Sequence, residues 1–252
     1  MFTRIEWKQL NHLGVILKEK ESIDSFSLRA KDALKNASYQ THHTLDFFPY
    51  GLKIEYCSKH LWPWEAACVF THDENAVIYL QPQFQILDRF FTHHKQDIIE
   101  HECIHLLRRG FVGNRFEELL ACQLSPKRVY RMLGGFIRTP IDSWVFITFS
   151  CSTIFCSLID LYSIQLLGLT SALFSYFSIR SIKDYYLLKR VKNKLCQVFG
   201  DNGKHVLFRL TEREICLFSS LSVDAIRRFF LEKQEDLRFH QIRASYPLKD
   251  AQ

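Results

Sequence analysis

Apolar positions recur at helical spacing at the start of the chain. Ile5, Leu10, Leu13 and Leu17 predict a short helix within residues 1–20, and Ile23, Phe26, Ala30 and Leu34 an amphipathic helix over 22–37. Residues 39–50, with His42 and His43, read as turn-rich. The rhythm then changes to alternation. Strands are expected at Leu52–Cys57, at Ala66–Phe70 beyond Pro63, and at Ala76–Leu80, with Asp73-Glu74-Asn75 as a turn and Pro82 as the stop. Phe84, Leu87 and Phe91 fall on one side of a helix expected over 84–91, and Ile98–Leu107 is an apolar, helix-compatible run. Arg115–Cys122 and Lys127–Met132 read as helices, the first closed by Leu124-Ser125-Pro126 and the second interrupted by Gly134-Gly135. Toward the C-terminus, Ser181–Phe199 reads as a basic amphipathic helix and His205–Phe208 as a short strand after the turn Asp201-Asn202-Gly203. Thr211 and Glu214 form a capping-box signature, and Ser222 can cap the helix after it.

Within the apolar run lies His101-Glu102-Cys103-Ile104-His105. On a helix, residues four apart share a face, so the two imidazoles can reach one metal ion. Glu102 beside them is placed to take a proton from a water that the metal acidifies. This H-E-x-x-H spacing is that of zinc metalloproteases. Ile98, Ile99, Ile104, Leu106 and Leu107 make the helix largely buried, and buried imidazoles need partners. A catalytic zinc takes a third protein ligand. Gly110 and Gly113 allow a turn that brings Glu117 or Glu118, on the next helix, back to the metal.

The pentad followed by a glutamate helix resembles the gluzincin zinc metallopeptidases, in the short spacing of their minimal members, over residues 24–126. In that group the third ligand is a glutamate often followed three positions later by a small residue. Glu118 with Ala121 fits, so the resemblance implies His101, His105 and Glu118 as zinc ligands and Glu102 as catalytic base. It also implies a zincin-like α+β fold with a small antiparallel or mixed sheet, and a strand that binds substrate by β-augmentation, for which Val77–Leu80 is the candidate. A further oxyanion donor is expected, with His93, His94 and Tyr130 as candidates by sequence proximity.

Charge changes the picture downstream. Between Ser143 and Ile179 the sole charged residue is Asp160, enough apolar length for two tight membrane spans turning near Asp160 and Tyr162. Lys127, Arg128, Arg131 and Arg138 precede this segment; Arg180, Lys183, Lys189, Arg190, Lys192 and Lys194 follow it. A hairpin puts both basic flanks on the cytoplasmic side, with both termini. The net charge of +6, without a patterned basic and aromatic groove, gives no expectation of nucleic-acid binding. Met1–Lys20 is mixed and charged rather than leader-like, and the eight cysteines, none in a C-x-x-C pair, suit a reducing compartment.

The expected organisation is therefore a metallopeptidase domain over 1–140, a transmembrane hairpin over 141–180, and a basic helical cytoplasmic region over 181–252. The expected partners are a protein or peptide substrate and the lipid bilayer. The alternative is a non-catalytic membrane scaffold that keeps a degenerate zinc site.

Overall fold

The computed structural model describes residues 2–19, 21–36, 47, 49–61, 65–72, 75–90, 93–113, 115–158, 163–233 and 235–249. The expectations placed on His42, His43, Pro63, Asp73, Glu74, Asp160 and Tyr162 lie outside them. Helix accounts for 67% of the described residues, so the sheet is a minor layer rather than the frame. The chain divides into two compact units, residues 1–112 with 190–252, and residues 113–189.

The first unit begins with α1 (Arg4–His12) and α2 (Ile23–Asn36). Thr3 starts α1 with a full capping box: its hydroxyl accepts from the Glu6 N–H while the Glu6 carboxylate accepts from the Thr3 N–H. Trp7, Leu10, Phe26, Ala30 and Ala33 form the core between these helices. Leu10 and Phe26 each contribute roughly 1.5–3 kcal/mol by leaving water. Then come β1 (Leu52–Tyr56), β2 (Ala67–His72) and β3 (Asn75–Leu80). The sheet order is β1-β3-β2, with β1 parallel and β2 antiparallel to β3. The sheet is thus mixed, and Val77–Leu80 is its centre. Both edges of β3 are used, so this strand cannot take a substrate by augmentation; the outer edges belong to β1 and β2.

Residues expected as a helix over 84–91 form a 3-10 turn, Pro82–Gln85, and then β4 (Arg89–Phe90), which pairs with β5 (His93–His94). Of the expected apolar side, Phe84 is buried and Leu87 is exposed, and Phe91 lies outside the described residues. Helix α3 (Lys95–Arg108) follows.

The C-terminal segment packs onto the N-terminal one. Helices α8 (Gly203–Leu207), α9 (Glu212–Ser220), α10 (Val223–Glu232) and α11 (Leu237–Ser245) complete the first unit. Asn11 Nδ2 donates to Tyr246 Oη at 2.7 Å, and Gln241 Nε2 to the Val15 carbonyl at 2.7 Å. His205–Leu207 is helical, and Phe208 caps that helix, where a strand was expected over 205–208. Gly203 opens α8 because the backbone passes hard against it, where a Cβ would stand 2.4 Å from the Cys196 nitrogen. The capping residues behave as expected: Thr211 accepts from the Glu214 N–H, and Ser222 from the Ala225 N–H.

The second unit holds α4 (Glu117–Ala121), α5 (Arg128–Leu133), α6 (Pro140–Leu158) and the first part of α7 (Ser163–Phe199). Gly134 and Gly135 are required by close approach, since a Cβ on either would stand 2.7 Å from Cys122 or Leu119. Asp184 pairs with both Arg115 and Arg138, and Asp142 with Arg180. These pairs tie α7 to the start of α6. Phe136, Phe146, Phe174 and Phe177 cluster at the same end. Farther along, the Thr153 and Thr170 hydroxyls share a hydrogen bond of 2.7 Å.

Helix α6 is long and apolar enough to cross a membrane, alone in this among the described residues, and almost none of it is buried. The expected second span, 163–179, is the start of the 37-residue helix α7, diluted by Gln165 and by serines at 163, 171, 175 and 178. The amphipathic helix expected over 181–199 is the continuation of the same α7. Its apolar stripe packs inward: Leu188, Val191, Leu195 and Val198 are fully buried, whereas Tyr186 is exposed. Within the first unit, Lys194 donates to the carbonyls of Phe218, Ser219 and Leu221, placing a cation at the C-terminal end of α9.

Candidate metal centre

Helix α3 is buried on most of its circumference. Ile98, Ile99, Glu100, Cys103, Ile104, Leu107 and Arg108 are buried, whereas His101, Glu102, His105 and Leu106 are half-buried. The pentad's polar residues therefore lie on the side where a ligand can enter. Arg108 anchors the end of the helix, its guanidinium donating to the carbonyls of Phe208 at 3.1 Å and Leu210 at 2.8 Å. That buried tie is what the arginine does here, beyond complementing the helix dipole. At the start, the Lys95 ammonium lies 4.7 Å from the centre of the Tyr56 ring on β1.

The four-residue spacing brings the imidazoles together. His101 Nε2 and His105 Nε2 are 3.2 Å apart, with ring centroids at 4.8 Å. Past α3 the chain turns through Gly110 and Gly113, both at positive φ, which glycine adopts without steric cost. Ligand atoms of His101, His105 and Glu118 all lie within 4.8 Å of one another.

The donor set fits a divalent transition metal. Two nitrogens bound at roughly 2.0–2.1 Å in a tetrahedral site stand about 3.3 Å apart, close to the separation seen here. Imidazole and carboxylate donors together suit several divalent transition metals, zinc among them.

Glu102 lies near the second strand. The Cys68 thiol on β2 is pushed up to about 11, by burial first and then by the negative charges of Glu65 and Glu102. This proximity joins residues 34 positions apart and has no local sequence signal. Cys103, inside the pentad, is fully buried, and burial holds its thiol well above the usual range. It is a packing residue and not a ligand. His93 and His94 form the exposed strand β5, and Tyr130 lies on α5 with the Lys127 ammonium 5.0 Å from its ring centre. His205 lies in α8, stacked on Tyr246.

Compared with known protein families, with curated proteins and with solved structures, the chain finds no match. The reading of the site rests on its own residues.

Proposed function

We propose that this chain is a membrane-attached, zinc-dependent peptidase of gluzincin-like type. The observation that carries the reading is the convergence of His101, His105 and Glu118 within 4.8 Å, with Glu102 on the same half-buried side of α3. His101, His105 and Glu118 would hold a zinc there, which would supply Lewis-acid polarisation of a peptide carbonyl and acidify water. Glu102 takes the proton from the attacking water and delivers it to the leaving amine. His101 and His105, fixed on one helix, and Glu118 orient the centre. Substrate lies along the outer edge of β2, since β3 is paired on both sides and Cys68 places β2 near Glu102.

The membrane part of the proposal is a hairpin. Helix α6 goes out over 19 residues and the first 17 residues of α7, 163–179, come back. At 1.5 Å per residue these legs reach about 25–28 Å, near the hydrocarbon thickness of a bilayer. The basic residues flanking both legs favour the cytoplasmic side for the catalytic part and the termini.

Two measurements test this. Glu102→Gln should lower cleavage of fluorescein-labelled casein by roughly 10²–10⁴-fold while zinc stays bound; casein cleavage equal to wild type would remove the peptidase reading. A reporter fused after residue 160 should face away from the cytoplasm, and a cytoplasmic reporter there would remove the hairpin.

A further inference from the structure

A groove outside the metal centre is built by α1, α2 and the start of α11 in the first unit. It measures about 750 Å³ and is lined by apolar side chains including Phe2, Trp7, Phe26, Leu34 and Leu237. That volume is within the roughly 300–1,000 Å³ range of small-molecule sites. Trp7 is 1% exposed, lies parallel to Phe26 at 5.9 Å between ring centroids, and its indole N–H has no acceptor among the described residues. An indole nitrogen only donates, so a wall of the groove holds an unmet buried donor.

The rim has a matching bias. Lys31 and Lys35, four apart on α2, both line the groove and are exposed, and neither makes an ion pair among the described residues. Of the two acids at the groove, Glu6 has its carboxylate engaged by the Thr3 N–H in the cap of α1; Glu235 is the other. Among the described residues, the groove's rim thus carries two exposed ammonium groups against one carboxylate outside the cap. Side chains four apart on a helix are about 5–6 Å apart at Cβ, close enough for one compact anionic head to meet both lysines.

We infer that this groove binds a single-chain carboxylate amphiphile of the free fatty acid class. Its tail lies against Phe2, Trp7, Phe26 and Leu34 and its carboxylate meets Lys31 and Lys35. The site is independent of the metal centre and of its chemistry.

The test uses the full chain in nanodiscs, with 11-(dansylamino)undecanoate as probe and empty nanodiscs subtracted. Saturable binding is expected, displaced by dodecanoate and not by dodecanol. Lys31→Glu/Lys35→Glu, on the exposed face of α2, should weaken probe binding by about tenfold or more, since it replaces charge-assisted contacts by repulsion. Ser27→Phe, which fills the groove, should abolish it. Circular dichroism and Tm establish that both variants are folded. Equal displacement by dodecanoate and dodecanol would mean a merely apolar surface and would overturn the inference. So would wild-type affinity in the folded lysine variant, or binding that never saturates.

Discussion

Helices α3 and α6 are both rich in apolar residues, yet they meet different surroundings. In α3, Cys103 and Ile104 are fully buried and the accessible stripe carries His101, Glu102 and His105. In α6, Ile141, Trp144, Ile154 and Leu158 are exposed by 63–80%. The first helix spends its apolar surface on protein, which holds the polar stripe in place. The second is covered on little more than the side that meets α7 among the described residues, and an apolar helix so exposed is suited to lipid. Apolar content alone does not separate the two. The difference lies in what the rest of the chain brings to each helix.

Truncating one isoleucine in each helix is the largest test of that contrast. Ile104→Ala should cost about 2–5 kcal/mol by leaving a cavity in a packed core. Ile154→Ala should stay within about 0.5 kcal/mol in a bilayer, because lipid fills the space. Chemical denaturation in nanodiscs measures both, and a loss from Ile154→Ala as large as from Ile104→Ala would mean that protein covers α6.

Smaller is the Thr153–Thr170 bond, which sharpens the description of how α6 meets α7. A double-mutant cycle with Thr153→Val and Thr170→Val should give a coupling near 0.6 kcal/mol, the usual size for a hydrogen bond between membrane helices. Zero coupling would separate the two hydroxyls.

The smallest effect is chemical. Cys68, held up to about 11, is almost wholly a protonated thiol at pH 8, so its alkylation in EDTA-treated protein should keep rising with pH toward that value. Glu102→Gln removes one of the charges that raise it. Alkylation at pH 9 should then speed up, by less than about tenfold. An unchanged rate would contradict the placement of Glu102 beside β2.

Much of the centre was legible because it is local. A four-residue spacing in an apolar run places His101 and His105 side by side wherever that helix is packed. The positive-φ glycines at 110 and 113 mark the turn toward Glu118. Local signatures also mark the caps at Thr211 and Ser222, and Thr3-Arg4-Ile5-Glu6 carries the same signal at α1. What failed was non-local. No alternation pattern says that β1 pairs in parallel with β3, which makes Val77–Leu80 central. Phe84, Leu87 and Phe91 have helical spacing, but the pairing of β4 with β5 claims Arg89–Phe90 instead. Residues 205–208 alternate too briefly to tell a strand from a helix, and the close backbone approach at Gly203 is a tertiary fact. The docking of α11 on α1 through Asn11 and Tyr246 joins the two ends of the chain and leaves no trace in either.

The most direct test of the central claim is the zinc content of purified wild type, Glu118→Ala and Glu117→Ala. About one zinc per wild-type chain is expected, lost in Glu118→Ala and kept in Glu117→Ala. Folded wild-type protein that takes up no zinc would contradict it, leaving His101 and His105 as a polar stripe on a core helix.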